Sequence, residues 1–255
     1  MAGADHYFSP SPGSRRHERT VTLRLQDVTL DLRTDRGVFS AGRIDPGTLL
    51  LLKHAPLPPA RPGNGSEAAA RTVLADVGCG YGPIAVTLAL RAPHAAVWAI
   101  DVNERARELA AANLATAGVT VGGGERQAAD SARAGDGGQT ADSARGGDGA
   151  RPENGQRGRG GGQATVCAPE EVPAALRFDA VYCNPPVRIG NRALDELLRE
   201  WLSRLRPGGF AVLVMHKNLG ADSLARRLAA AGAAPRRLAV GGGYRVLQVP
   251  AAEDR

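Results

Sequence analysis

The chain has 255 residues, 43% of them hydrophobic, which is enough for one substantial core with appendages. Its 32 Lys and Arg against 26 Asp and Glu give a net charge of +6, which favours an anionic partner such as RNA. Three cysteines without paired spacing disfavour a disulfide framework or a metal site, and no apolar run approaches the length of a membrane helix. We therefore expect an untargeted protein of the reducing cytoplasm, without a membrane segment or a metal.

The N-terminal region divides into an arm and a hairpin. Residues 1–19 carry two aromatics and several arginines and are expected to form a flexible arm, which either contacts RNA or is simply solvated. Apolar and polar residues then alternate over 21–25 and 28–32, on either side of Gln26 and Asp27. This pattern predicts a β-hairpin.

A short helix is expected after the hairpin, with Asp45 as its N-cap and Pro46 at its first position. Just upstream, Phe39 could stack on a base or serve as a core anchor, and the residues alone favour the core. Residues 55–70 are rich in Pro, Gly and Ala and read as a linker.

A strand, a glycine turn and a helix are predicted next. The strand covers residues 72–77, and the turn contains Gly78, Gly80 and Gly82, which lack the Cβ atoms that would keep a ligand off the backbone. Pro83 suits the first position of the following helix. A nucleoside could lie against this turn.

Asp101 follows an apolar strand at 96–100 and lies about 20 residues beyond Gly82, the offset at which an acid meets ribose hydroxyls. A dinucleotide fingerprint would have glycine where Pro83 stands, so pyrophosphate binding is disfavoured. The pattern indicates a nucleoside cofactor without a pyrophosphate.

A helix over 104–117 is predicted after Asn103, its N-cap, and before Gly118, its left-handed stop. Residues 122–163 then contain no large apolar residue and have six arginines against six acids. We expect a disordered low-complexity insertion in the surface of the domain, with RNA contact through Arg157-Gly-Arg159 as an open possibility.

The fold is expected to resume with a strand at 164–167. Glu170 or Glu171, just after this strand, could reach the adenine edge of a nucleoside. The next strand, 178–183, delivers Asn184, Pro185 and Pro186 at its C-terminal end, where open α/β sheets bind ligands.

The C-terminal third continues the alternation of helices and strands. Helices are expected at about 192–204, with Trp201 in the core, and at 221–231; strands are expected at 210–215, 238–240 and 244–249. His216 and Lys217 follow one of these strands at its ligand end, where either could contact a phosphate. The alternation predicts an α/β fold with a doubly wound, mostly parallel sheet and the hairpin as an N-terminal extension.

Three segments together resemble a known family: Asp76-Val-Gly-Cys-Gly-x-Gly with Asp101, Asn184-Pro185-Pro186, and Gly37-Val-Phe-Ser40 with Asp45-x-Gly47. They are similar to class I S-adenosyl-L-methionine (SAM) methyltransferases of the small-domain kind, which include ribosomal RNA guanine-N2 methyltransferases. The resemblance implies a Rossmann-like sheet of seven strands, the last antiparallel. It also implies that SAM is held by the residues Asp76, Gly78, Gly80, Gly82, Asp101 and Asn184.

Asn-Pro-Pro suits methylation of an exocyclic amine, whose lone pair is delocalised into the ring. The Asn184 side-chain oxygen and the Pro185 carbonyl can each accept one N–H and so localise that pair, while Pro186 helps to stiffen the loop. Many nucleic-acid enzymes have an aromatic next, whereas this chain has Val187. Base stacking would then come from Phe39. Cys183 precedes the loop and is expected to be a buried strand residue rather than a nucleophile.

The resulting expectation is a SAM-dependent methyltransferase acting on guanine N2 of ribosomal RNA, either naked or within a ribosomal subunit. The residues expected to contact the substrate are Phe39, Ser40, Val187 and Lys217. Two alternatives are a methyltransferase for a protein glutamine amide, which also presents a conjugated nitrogen, and an RNA-binding module that keeps the fold without activity.

Overall fold

The structure is a computed structural model that describes residues 16–61, 71–123, 162–186 and 189–252. The strands are β1 Arg19–Arg24, β2 Thr29–Thr34, β3 Val73–Val77, β4 Ala96–Ile100, β5 Thr120–Gly123, β6 Gln163–Cys167, β7 Phe178–Cys183, β8 Leu205–His216, β9 Arg236–Gly241 and β10 Tyr244–Pro250. The helices are α1 Pro46–His54, α2 Pro83–Arg91, α3 Glu104–Thr116, α4 Asn191–Leu202 and α5 Ala221–Ala230, with 3-10 turns at Pro169–Glu171 and Lys217–Leu219.

The central sheet has the strand order β5-β6-β4-β3-β7-β8-β10-β9. Neighbouring strands are parallel from β5 to β8, and β10 is antiparallel to both of its neighbours. The doubly wound, mostly parallel sheet with an antiparallel last strand is therefore confirmed, but the described sheet has eight strands rather than seven. The unpredicted strand is β5, which pairs with β6 at the sheet edge. Two of its four residues are glycines, which are depleted in strands.

Two apolar layers cover the sheet. The hairpin and helices α1, α2 and α3 pack on one face, and helices α4 and α5 pack on the other. Side chains of β3 alternate between them, with Leu74 in the first layer and Ala75 in the second. Trp201 is buried beside Phe178, with ring centroids 6.2 Å apart, which confirms its predicted place in the core.

The hairpin of β1 and β2 is confirmed, with Val21 paired to Leu32. It is joined to the domain by Asn113, whose side-chain amide bonds the backbone of Arg33 and also donates to the Tyr81 carbonyl. Residues 1–15 of the predicted arm lie outside the described residues. Arg16, however, pairs with Glu108, so the last part of that arm contacts the domain.

The boundaries predicted for the insertion, residues 122–163, are wrong at both ends. Residues 122–123 belong to β5 and residue 163 belongs to β6. The remainder, 124–161, lies outside the described residues. Because β5 and β6 are parallel neighbours, the chain leaves β5 at the C-terminal ends of the parallel strands and enters β6 at their N-terminal ends.

The predicted helix boundaries follow from local chemistry. Asn103 Oδ1 accepts the Ala106 N–H at the start of α3, and Gly118 ends that helix with a φ of 79°. Within the described residues, no helix is both long and apolar enough to span a membrane.

Candidate active site

A cavity of about 550 Å³ opens where strands β3, β4, β7 and β8 reach their C-terminal ends. Strand β4 lies on one side of β3 and β7 lies on the other, so the order of the strands reverses at this point. Open α/β sheets bind ligands at such a reversal. Its polar and aromatic walls include Phe39, Ser40, Asp45, Gly78, Gly80, Asp101, Asn184, Pro185, Pro186, His216 and Tyr244. The cavity thus brings together most of the residues predicted to form the site.

The three glycines of the turn have different roles. Gly78 and Gly80 line the cavity with φ values of 72° and 56°, and a Cβ on Gly78 would meet no atom within 4 Å. Gly82 is not among the lining residues. A Cβ there would lie 3.1 Å from the Cβ of Ala110, so Gly82 is needed for close packing of the turn against α3. The first two glycines leave the open surface that a ligand could approach.

Asp101 is tied to the backbone around it. One carboxylate oxygen accepts the Gly80 N–H and the other accepts the Asn103 N–H, each over 2.8 Å. Burial raises the pKa of this carboxyl, partly offset by those two hydrogen bonds. Asp101 remains in the cavity wall, so its oxygens can accept further bonds there.

Asp76 lies beneath the turn rather than in the cavity wall, and it is fully buried. Its Oδ2 accepts the Ala85 N–H over 2.9 Å, whereas Oδ1 has no hydrogen-bond partner among the described residues. Burial raises the pKa of Asp76 to about 8, with the Asp101 charge adding to the effect. An unpartnered buried carboxylate oxygen under the turn fits a cationic ligand above it.

Part of the cavity wall is apolar. Ile100, Val102, Ala106 and Pro169 form this part. Glu171 uses its carboxylate to accept the Ala168 N–H within its own turn. Neither Glu170 nor Glu171 lines the cavity, so the structure does not bring either predicted adenine contact to the site.

Asn184 is held by its amide nitrogen. Nδ2 donates to Asp45 Oδ2 over 2.9 Å and to Thr48 Oγ1 over 3.0 Å. Pro185 and Pro186 follow it in the cavity wall. The amide oxygen of Asn184 is thereby left for a donor inside the cavity, because both N–H groups are used.

The segment before α1 forms one rim of the cavity. Phe39 is 40% exposed and lines the cavity, so the alternative that it is a core anchor is wrong. Ser40 adopts a left-handed φ of 57°, and its hydroxyl donates to the Arg43 carbonyl over 2.6 Å. A non-glycine residue in this conformation is a strained element of the kind that often occurs at binding sites.

Two other predicted substrate residues are not placed in the cavity. Val187 lies outside the described residues, and Lys217 begins a 3-10 turn without lining the wall. The preceding residue, His216, lines it instead, with its ring 5.0 Å from that of Tyr244.

Sequence reasoning missed Asp45 and Tyr244 as site residues. Asp45 was predicted as the cap of α1 and as part of the Asp45-x-Gly47 segment of the family resemblance, without a contact of its own in the site. The cap is confirmed because Asp45 accepts the Thr48 N–H over 2.9 Å. Tyr244 was predicted only as the start of the last strand. A polar aromatic directly after a run of glycines, Gly241 to Gly243, is the signal that could have marked it.

Nucleophilic chemistry by cysteine is not supported here. All three cysteines are buried free thiols, as the lack of paired spacing predicted, and burial raises the pKa of Cys183 well above its ordinary value. Across the described ranges, no group of three His, Cys, Asp or Glu residues is arranged to hold a metal ion.

The doubly wound sheet, the glycine turn after β3 and the acid after β4 define the class I methyltransferase fold. Residues 29–136 match the family model described as methyltransferase small domain, in agreement with the resemblance seen in the sequence. The family uses SAM, and the open turn, the two acids and the apolar wall fit a cationic nucleoside of that kind. The predicted cofactor is confirmed at this level.

Relatives and a solved structure agree with this family. The uncharacterized protein YbxB of Bacillus subtilis is 26% identical over 88% of each chain. Ribosomal RNA small subunit methyltransferase C of Hahella chejuensis is 31% identical over 79% of this chain and 45% of its own. The T. thermophilus 16S rRNA N2 G1207 methyltransferase (RsmC), solved with AdoMet and guanosine, shares the fold with a TM-score of 0.58 and 21% identity, over 94% of this chain and 52% of its own. The chain spans about half the length of these two methyltransferases.

Proposed function

We propose that this chain transfers a methyl group from SAM to an exocyclic amine of a base in ribosomal RNA, with guanine N2 as the target. The observation that carries the proposal is the held amide of Asn184 at the end of β7, beside a cavity large enough for a cofactor and a base. The net charge of +6 and the names of the two ribosomal RNA methyltransferase relatives support RNA as the substrate.

Asp101, Gly78 and Gly80 would hold the nucleoside end of the cofactor. The Asp101 oxygens each retain acceptor capacity for a ribose hydroxyl, and the two glycines let the ligand approach the main chain. Asp76 would present its Oδ1, unpartnered among the described residues, beneath the turn. Bound there, SAM supplies an electrophilic methyl group, so no metal or covalent intermediate with the protein is required.

Asn184 and Pro185 would hold the target amine. The Asn184 oxygen and the Pro185 carbonyl each accept one N–H, which orients the nitrogen lone pair and stabilises positive charge as it develops. Phe39 would stack on the base, with Ser40 fixing the rim beside it. Lys217 would contact the RNA beside the cavity, and Val187 is retained as a candidate RNA contact from its place after Asn-Pro-Pro in the sequence.

The test compares the parent with Asn184→Ala and uses ribosomal RNA and small subunits from cells that lack the gene. We expect the parent to produce N2-methylguanosine, detected by mass spectrometry of nucleosides. Asn184→Ala should bind SAM with nearly parental affinity, measured by calorimetry, but turn over far more slowly at saturating cofactor.

The alternatives give different results in the same assay. If a glutamine in a ribosomal or other protein is methylated and the RNA is not, the substrate is a protein and not RNA. Binding of RNA without methylation of any substrate would indicate a non-catalytic module. Parental turnover by Asn184→Ala would show that Asn-Pro-Pro is only a turn.

A further inference from the structure

Asp45 contacts three parts of the chain that are far apart in sequence. Its Oδ2 accepts the Thr48 N–H and the Asn184 Nδ2, each over 2.9 Å. Its Oδ1 accepts the Tyr244 hydroxyl over 3.3 Å. Capping α1 requires only the Thr48 contact, because an N-cap acts through backbone donors of the first turn. The other two contacts need a separate explanation.

We infer that Asp45 is a positioning residue that fixes the orientation of the Asn184 amide for the reaction proposed above, on which this inference rests. The oxygen and nitrogen of a carboxamide have nearly the same shape, so packing alone does not decide which one faces the cavity. An ionised carboxylate can only accept hydrogen bonds. Asp45 therefore requires the NH₂ group of Asn184 on its own side and leaves Oδ1 for the target N–H.

Thr48 supplies the second acceptor for the same NH₂ group. Its Oγ1 receives the other Asn184 N–H over 3.0 Å, and the residue is buried in the first turn of α1. Since Asp45 caps that turn, one local structure places both acceptors. If the Asn184 amide were reversed, its NH₂ group would face the N–H of the target amine. Two donors would then meet, and the target N–H would have no acceptor.

Tyr244 and Gly47 complete the arrangement around Asp45. A Cβ on Gly47 would lie 2.6 Å from two ring atoms of Tyr244 and 2.8 Å from Asp45 Oδ2. The absence of that atom lets the Tyr244 hydroxyl reach Oδ1. With Oδ1 engaged there, Oδ2 is the oxygen that faces Asn184.

The first experiment is a pair of substitutions at Asp45. Asp45→Ser keeps a good N-cap but is too short to reach Asn184, whereas Asp45→Asn can place its oxygen where Oδ2 lies and accept both bonds. At saturating SAM and RNA, kcat of Asp45→Ser should fall about tenfold to a hundredfold, the scale expected for a misplaced reacting group. SAM affinity should not change, and Asp45→Asn should restore most of kcat. Parental kcat in Asp45→Ser, or an equal loss in Asp45→Asn, would overturn the inference.

The second experiment needs no RNA substrate. Solvent exchange of the Asn184 side-chain NH₂ is followed by NMR on the ¹⁵N-labelled full chain, with the signal assigned by its loss in Asn184→Ala. Exchange should be slow in the parent and faster in Asp45→Ser. Thr48→Val, which is isosteric but lacks the hydroxyl, should also speed exchange, and it replaces Asp45→Ser if that variant does not fold. Thr48→Ser keeps the hydroxyl and is the matched control.

The two experiments separate the inference from the proposed function. If no RNA is methylated but the Asn184 NH₂ is protected in the parent and released in Asp45→Ser, the RNA substrate is rejected and the positioning role stands. If the NH₂ exchanges equally fast in the parent, Asp45→Ser and Thr48→Val, the positioning role is rejected whatever the activity.

Discussion

The Gly80 N–H donates to Asp101 Oδ2 over 2.8 Å, which joins the glycine turn after β3 to the acid after β4. The two strands are parallel neighbours, and their register pairs Val77 with Ile100 just before the turn and the acid. The residue proposed to bind ribose therefore also shapes the backbone against which the nucleoside would lie.

This dual role predicts graded losses at Asp101. Asp101→Ala removes the ribose acceptor and leaves the half-buried Gly80 N–H without its partner, so it should weaken SAM binding. Asp101→Asn keeps one side-chain oxygen and should lose less SAM affinity than Asp101→Ala. Calorimetry of SAM binding measures both. Unchanged affinity in Asp101→Ala would remove Asp101 from the cofactor site.

Asp76 predicts a pH dependence of stability. Its pKa is raised from 3.8 to about 8 in the folded protein, so the unfolded state ionises first as the pH rises. The contribution of Asp76 to the free energy of unfolding is thus greatest below pH 4 and declines until about pH 8. Asp76→Asn, which keeps an acceptor for the Ala85 N–H, lacks this decline.

The measurement is denaturant unfolding of the parent and Asp76→Asn at a series of pH values. The stability of the variant relative to the parent should rise steadily from pH 4 to pH 8. A difference that does not vary with pH would mean that Asp76 has an ordinary pKa.

Gly47 provides a packing test with a matched control. In a helix, alanine is normally favoured over glycine by about 0.5–1 kcal/mol. At Gly47 the added Cβ would meet the Tyr244 ring, so we expect Gly47→Ala to lose about 1–3 kcal/mol of stability instead, as is usual for overpacking. Gly42→Ala, where a Cβ meets nothing within 4 Å, should leave the melting temperature unchanged. Equal melting temperatures for the two variants would contradict the contact.

The insertion should be replaceable. A Gly/Ser linker of about 10 residues in place of 126–160 is long enough to run back along the edge of the sheet, at about 3.3 Å per residue. Loop closure changes by only about 0.6 kcal/mol per doubling of length, so stability and SAM affinity should barely change. Thermal unfolding and calorimetry test this. A second deletion that also removes 120–123 should be less stable, because it removes β5.

Salt dependence tests the proposed RNA contact of Lys217. Removing one phosphate contact should weaken RNA binding and reduce the slope of log affinity against log salt by about 1. We expect this for Lys217→Ala. Arg177→Ala is the control. Arg177 lies just before the N-terminal end of β7, and the cavity lies at the C-terminal ends of the strands. Equal slopes for the two variants would place Lys217 outside the RNA interface.

The parts of the fold that depend on neighbouring residues were predictable. Asp45, Asn103 and Gly118 mark helix ends because capping acts within one turn of chain. The alternation of apolar strands and helices likewise predicted the doubly wound sheet. The offset from Gly82 to Asp101 placed the acid beside the glycine turn, since parallel neighbouring strands end at the same edge.

The parts that depend on distant residues were not predictable. Nothing near Asp45 in the sequence indicates that Asn184 will donate to it, because the two are 139 residues apart. The glycines of strand β5 do not favour a strand, and their place in the sheet comes from pairing with β6. Gly82 looked like a ligand contact because it shares the spacing of Gly78 and Gly80, yet its requirement comes from Ala110 on α3.

The close approach of Gly82 and Ala110 makes the shape of the glycine turn depend on a residue outside the cavity. Position 110 is buried on α3 and absent from the cavity wall, but its Cα and Cβ lie within 3.2 Å of the space beside Gly82. A larger residue at 110 would press on the turn from behind and alter its shape without touching a ligand. Engineering this enzyme to accept bulkier sulfonium analogues could therefore begin at a position that no inspection of the cavity would select.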